Sequence, residues 1–272
     1  MDDFPTQSPG AIRLVTSRNN PHVRQLDDLL RRKKAREESS LMALEGRRLV
    51  VDAWAAGLIP QTLFLTPEAW QKAPKELEPL LHSAGEVIWL EASLASRIGD
   101  TQAPQGVFAL CPQPSLEKDK VPVRPDGRYL LLHKIRDPGN LGSILRTAAA
   151  LGADGAFLCE CVEVFSPKVL RASMGGVWRL PIALTDTLEP VLSLLREAGV
   201  VTFAAALRQG AKGPECLALA KGRAVLIGNE GDGLPDHLID ACDHVVMLPM
   251  KSGSDSLGAS MAAGILLWEM LK

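Results

Sequence analysis

Apolar residues at Val23, Leu26, Leu29 and Leu30 recur with helical spacing and predict a helix from Pro21 to Arg36. Its remaining faces carry Arg24, Arg31, Arg32, Lys33, Lys34 and Arg36. A second helix is expected from about Gly46 to Ala56 and a third around Pro67–His82. Short apolar runs at Thr62–Leu65, Val87–Trp89 and Gly106–Cys111 predict strands, so this part reads as a small α/β unit. From Pro112 to Gly127 the periodicity gives way to Pro, Lys, Asp and Glu, the composition of a linker. Beyond it, strands are expected at Tyr129–His133, Ala156–Cys159, Val200–Ala205, Ala224–Ile227 and Val245–Leu248. Helices are expected at about Leu141–Leu151, Pro167–Ser173, Leu188–Ala198, Pro235–Ala241 and Leu257–Leu271. Such β-α alternation predicts a parallel sheet covered on both faces. Ligands of such sheets bind beyond the carboxyl ends of the strands, so the chemistry is to be sought in the loops that follow strands.

A chain of 272 residues accommodates two domains of ordinary size. The pattern divides it into a leader over 1–11, a first domain over 12–111, a linker over 112–127 and a second domain over 128–272. With 46% hydrophobic and 23% charged residues, the composition is that of a soluble globular protein. A net charge of −2 gives no global reason to expect nucleic acid, but phosphate binding needs only one basic face. No apolar run approaches the roughly 18 residues of a membrane span. Met1-Asp2-Asp3-Phe4 is too acidic for a signal or transit peptide. The five cysteines, Cys111, Cys159, Cys161, Cys216 and Cys242, form no CxxC pair. They read as free thiols in a reducing compartment, so a cytosolic location and no metal are expected.

Three loops carry residues that packing alone explains poorly. The first runs from Lys134 through Asp137-Pro138-Gly139-Asn140 to Arg146-Thr147. It makes a tight turn, with Asn140 as the expected cap of the next helix and Arg146 on that helix's flank. The second, Gly228-Asn229-Glu230-Gly231-Asp232-Gly233-Leu234, ends a buried strand in glycines interleaved with polar groups. Glycines let a ligand approach the backbone, while two carboxylates argue against a phosphate. The third runs from Leu248-Pro249-Met250 through a Ser/Gly-rich stretch to Ser256-Leu257-Gly258-Ala259-Ser260 and leads into a helix of small residues. No GxGxxG or GxxxxGK[ST] motif occurs, which counts against a plain nucleotide-binding protein.

Together and in this order, the three loops resemble the SpoU–TrmH branch of the SPOUT RNA methyltransferases, whose pattern is DPxNxGxxxRTA…GxEGxGL…PMxGxxxSLNxSxA. Arg171-Ala172-Ser173-Met174-Gly175 also looks like that family. In the first domain, Thr16-Ser17-Arg18-Asn19-Asn20-Pro21 and Pro104-Gln105-Gly106-Val107 resemble its RNA-binding domain. The resemblance implies an α/β fold with a C-terminal parallel-sheet SPOUT domain tied in a deep trefoil knot, an exception to the rule that chains are unknotted. A small α/β RNA-binding domain, resembling ribosomal-protein folds, would precede it. It further implies a homodimer, S-adenosylmethionine as cofactor and RNA, ribosomal rather than transfer, as substrate. The cofactor would be held by Ala206, Leu207, Ile227, Gly228, Asn229, Leu248, Met250, Ser256 and Leu257, largely through backbone from Ala205 onward.

Methyl transfer from a sulfonium is an in-line displacement, so the ribose 2′-hydroxyl must be aligned and lose a proton. By the resemblance, Arg146 meets this hydroxyl, Asn140 and Glu230 orient it, and Ser256 lies nearby. A guanidinium hardly deprotonates, so Arg146 is expected to stabilise the developing alkoxide while an RNA phosphate or water takes the proton. Gly258 departs from the pattern, which places Asn there. Arg18, Arg24, Arg31, Arg32, Lys33, Lys34 and Arg36 would then contact RNA phosphates. The rival readings are a base methyltransferase, a transfer-RNA ribose methyltransferase and a catalytically silent RNA-binding or ribosome-assembly factor.

Overall fold

The computed structural model describes residues 14–101, 103–229, 231–251 and 257–272. The chain divides into two compact units, Met1–Pro112 and Gln113–Lys272. The expected leader over 1–11 lies outside the described residues.

In the first unit, Asn20 accepts a hydrogen bond from the His22 amide at 2.9 Å, and Pro21 opens α1 (Pro21–Arg31). The helix predicted through Arg36 is broken, because Arg32 is extended (φ −117°, ψ 114°) and α2 (Lys33–Ser39) starts afresh. The break turns Arg36 inward, where its guanidinium donates to the Leu29 carbonyl at 2.7 Å. Next come β1 (Leu41–Glu45), α3 (Arg47–Ala55) and β2 (Thr62–Leu65). The single helix expected around Pro67–His82 is two, α4 (Pro67–Lys72) and α5 (Pro74–Ser83), because Pro74 holds Ala73 out of helical geometry. β3 (Glu86–Trp89), α6 (Ala92–Ile98) and β4 (Val107–Pro112) complete the unit. Its sheet has the order β1-β4-β2-β3, parallel only between β2 and β3. Val23, Leu26, Leu29 and Leu30 of α1 share one core with Ala43, Phe64, Phe108 and Leu110 of the sheet.

The second unit alternates β5 (Arg128–His133), α7 (Pro138–Leu151), β6 (Gly155–Cys159), α8 (Pro167–Ser173), α9 (Gly176–Arg179) and β7 (Ile182–Thr185). It continues through α10 (Glu189–Glu197), β8 (Val201–Ala205), β9 (Arg223–Ile227), α11 (Asp236–Ala241), β10 (His244–Val246) and α12 (Ala259–Leu271). All six strands are parallel, in the order β10-β8-β9-β5-β6-β7. The order steps one way from β5 to β7 and the other way through β9, β8 and β10, which places a topological switch point between β5 and β9.

One face of this sheet buries Tyr129, Leu131, Phe157 and Leu226 against Val191, Leu192 and Leu195 of α10 and Leu238 and Ile239 of α11. Elsewhere α12 packs on α7 and β9, and α7 on α8. A Cβ at Gly142 would lie 2.5 Å from Ala172 Cβ and 2.7 Å from the Val169 carbonyl oxygen, so only glycine lets α7 and α8 approach this closely. The buried Arg223 guanidinium donates to the Met270 carbonyl at 2.6 Å and closes the end of α12. Residues read as linker are anchored on this unit. Val121 joins its core, Tyr129 donates its hydroxyl hydrogen to the Pro122 carbonyl (2.9 Å), and the Leu116 carbonyl accepts from the Leu184 amide (2.8 Å). Among the described residues, no helix is long and apolar enough to cross a membrane.

Candidate functional site

Strands β10, β8, β9 and β5 are consecutive parallel neighbours, so their carboxyl ends form one rim with a spacing of about 4.8 Å per strand. The strand ends and loops at that rim carry seven of the expected cofactor residues: Ala206, Leu207, Ile227, Gly228, Asn229, Leu248 and Met250. Leu257 is exposed just before α12, whereas Glu230 and Ser256 lie outside the described residues.

The turn after β9 is closed by one side chain. Asn229 and Gly233 exchange backbone hydrogen bonds (3.2 and 3.1 Å), while Asn229 Oδ1 accepts from the amides of Gly231 (2.8 Å) and Asp232 (3.1 Å). Asn229 Nδ2 donates to the Lys134 carbonyl at 2.8 Å, tying the turn to the end of β5 across the switch point. Beside it, Leu207 is 71% exposed. The amides of Leu207, Leu248 and Met250 have no hydrogen-bond partner among the described residues. An exposed apolar side chain and backbone amides unpaired among the described residues, on loops leaving one rim, suit a heterocyclic base read by main chain, as adenine would be.

The loop after β5 departs from expectation in one respect. Asp137, not Asn140, caps α7, its Oδ1 accepting from the Asn140 amide at 2.7 Å. Pro138 occupies the first helical position, which moves Asn140 inside the helix, half-buried. Arg146 is exposed, and among the described residues its guanidinium has no hydrogen bond or ion pair. Its backbone is held from behind, since a Cβ at Gly176 of α9 would come within 2.8 Å of Arg146 Cα.

The basic helix is less one-sided than its arginines and lysines suggest. Arg31 pairs with Asp27 (2.8 Å), Arg32 with Asp28 (3.1 Å), Lys33 with Glu37 (3.3 Å) and Lys34 with Glu38 (3.6 Å), each one turn apart. Arg24 donates to Asn19 (3.1 Å) and Arg18 to the Arg97 carbonyl (3.3 Å). Exposed pairs of this kind are worth about 0–1 kcal/mol, so a phosphate can displace the carboxylates. Arg36 must be struck from the phosphate-facing set, because the helix break buries it against Leu29.

Residues 127–268 match the SpoU rRNA Methylase family. The chain belongs to that family. Residues 20–109 match the MRM3-like substrate binding domain. Over 259 residues, 95% of the chain and 93% of the relative, the chain is 31% identical to a tRNA/rRNA methyltransferase of Synechocystis sp.. Over 260 residues, 95% of the chain and 99% of the relative, it is 28% identical to the 23S rRNA (guanosine(2553)-2′-O)-methyltransferase of Bacillus subtilis. Its fold is similar to that of the S-adenosylmethionine-bound rRNA methyltransferase from Sinorhizobium meliloti, with a TM-score of 0.82, 32% identity and coverage of 95% and 97%.

Two features of this SpoU-family site have no signal in the motif residues. Lys134 leaves β5 in left-handed geometry (φ 57°), which aims its carbonyl at Asn229. Gly176 matters through the space it leaves for α7. Gly258, where the family pattern has Asn, precedes α12 with no side-chain cap, and among the described residues a Cβ there meets nothing within 4 Å.

Proposed function

We propose that this SpoU-family chain transfers the methyl group of S-adenosylmethionine to a ribose 2′-hydroxyl of ribosomal RNA, and that it acts in the cytosol. The observation that carries the reading is the alignment of the expected cofactor loops along one rim that ends at the switch point, with Arg146, unpaired among the described residues, on the helix after β5. When bound, S-adenosylmethionine supplies an electrophilic methyl group on a sulfonium. The main chain after β8, β9 and β10 holds it. Arg146 stabilises the alkoxide electrostatically as the 2′-hydroxyl loses its proton to an RNA phosphate or water. Asn140, Glu230 and Ser256 keep their expected roles around that hydroxyl. In the first unit, Arg18, Arg24, Arg31, Arg32, Lys33 and Lys34 exchange their local partners for RNA phosphates.

The trefoil knot belongs to this reading; of the connection between β10 and α12, residues 252–256 lie outside the described residues. So does the homodimer. Met261, Ile265 and Trp268 are exposed on one face of α12 at helical spacing, an apolar stripe that a second copy would cover. Trp268→Glu is expected to shift the protein from dimer to monomer in light scattering coupled to gel filtration. A wild-type protein that is monomeric at micromolar concentration would remove the dimer from the proposal.

The deciding experiment uses purified protein, total RNA from a strain lacking it and labelled S-adenosylmethionine. The RNA is then digested and the labelled nucleosides are identified by mass. A 2′-O-methylated nucleoside is the expected product and would show that Gly258 is tolerated. A base-methylated nucleoside would reassign the reaction. No label, from protein shown separately to bind the cofactor, would favour the silent RNA-binding reading.

A further inference from the structure

Next to the switch point, β5 and β6 end on His133 and Cys159, which are register partners of the parallel pair. Glu160 follows directly in left-handed geometry (φ 51°). A ring nitrogen of His133, the Cys159 sulfur and a Glu160 carboxylate oxygen all lie within 4.8 Å of one another. Packing leaves this cluster unexplained. The His133 side chain is only 7% exposed, its Nδ1 is buried without a hydrogen-bond partner, and its Nε2 is 3.9 Å from Glu160 Oε1, beyond hydrogen-bond reach. Buried polar atoms are rarely left in that state and call for a partner such as a water or an ion.

We propose that His133, Cys159 and Glu160 form a site for a divalent cation of the zinc class, with a fourth position left to water. The donor set is one nitrogen, one sulfur and one oxygen, which suits zinc and is foreign to magnesium or calcium, whose ligands are oxygens. In a tetrahedral zinc site with bonds of about 2.0–2.3 Å, ligand atoms stand roughly 3.3–3.8 Å apart. The cluster therefore has to close by about 1 Å, a movement within reach of the half-exposed Glu160 side chain. The Lys134 ammonium, 3.4 Å from Glu160 Oε1, competes with a cation for that carboxylate. It is 39% exposed and free to swing outward. The thiol now donates to the Asp186 carbonyl at 3.3 Å and would release its proton on binding.

The location gives such a cation leverage on the cofactor rim. His133 immediately precedes Lys134, whose carbonyl receives the Asn229 amide. A cation would thus clamp the exit of β5, from which the loop carrying Asp137 and Asn140 departs. The sequence did not disclose the site, because its ligands come from two strands and show no metal-binding spacing; no metal was expected from it.

The test uses the full-length protein, stripped with chelator and titrated with zinc chloride by calorimetry and with cobalt chloride by absorption spectroscopy. One equivalent is expected to bind, with a thiolate-to-cobalt band in the near ultraviolet and the intense visible bands of a four-coordinate site. His133→Ala and Cys159→Ser should each weaken zinc binding by about tenfold or more, and Cys159→Ser should abolish the thiolate band. Lys134→Gln, which removes the competing charge, should tighten binding, while Cys161→Ser should leave it unchanged. Lys134→Gln and Cys161→Ser keep the proposal open to refutation even if the ligand variants fold poorly in a melting assay. Absence of stoichiometric binding, or a cobalt band lost in Cys161→Ser but retained in Cys159→Ser, would overturn it.

Discussion

Arg146→Ala is expected to lower the methylation rate by roughly 10²–10³ or more while leaving the fold and cofactor affinity intact, as for removal of one preorganised donor from a developing oxyanion. The separation rests on where Arg146 stands. It is exposed, mid-helix and has no hydrogen bond or ion pair among the described residues, so its loss removes no structural contact of the side chain. Alanine is the best helix former, and exposed substitutions of this kind stay within about 0.5 kcal/mol. The proposed cofactor rim lies on loops after β8, β9 and β10, none of which Arg146 belongs to. A single-turnover assay at saturating S-adenosylmethionine reads the chemical step, and calorimetry reads cofactor affinity. Arg146→Lys keeps a positive charge near the same place and should retain measurable activity. If lysine and alanine are equally and completely inactive, the electrostatic role fails, and a role tied to the planar guanidinium must replace it.

The catalytic unit was more legible in the sequence than the first unit, for a physical reason. A parallel sheet announces itself through unbroken apolar runs followed by helical periods, so β5, β6, β8 and β9 were predicted to within a residue or two. β7 was not, since Ile182–Thr185 is a short edge strand whose Leu184 faces out. β1 went unread because Leu41–Glu45 is buried throughout and shows no alternation, its Glu45 satisfied by Asp100 and Thr101. Helix breaks at Arg32 and Ala73 are tertiary and local-steric events that an apolar period averages over. The first break decides a functional assignment, since it removes Arg36 from the exposed basic row. At the candidate site, the motif stood out in the sequence because few structural roles explain glycine, asparagine and carboxylate in alternation. What holds them was not, because the link from Asn229 to the Lys134 carbonyl joins residues far apart in the chain through a backbone atom. Asn140 shows the same limit: the spacing offered it as a cap, yet Asp137, placed just before Pro138, fits the helix start better.

Gly228→Ala is expected to weaken S-adenosylmethionine binding by about tenfold or more, with only a moderate loss of stability of about 1–3 kcal/mol from the overpacking. A Cβ at this buried position would stand 2.5 Å from both the carbonyl carbon and oxygen of Gly233 and 2.8 Å from Leu234 Cγ. The carbonyl atoms belong to the backbone and cannot rotate aside, so the Asn229–Gly233 bridge must open or the turn must shift as a body. Either movement drags Asn229, whose amide is fixed on Lys134, and displaces the rim on which the proposed function places the base. Gly231→Ala is the matched control. Among the described residues a Cβ there meets only Asn229 Oδ1, at 3.4 Å, an ordinary contact that leaves the turn in place. Calorimetric titration of both variants with S-adenosylmethionine separates a damaged cradle from a generally weakened loop. If Gly228→Ala folds and binds the cofactor as tightly as Gly231→Ala, this turn does not contact S-adenosylmethionine, and the cofactor must rest on the loops after β8 and β10 alone.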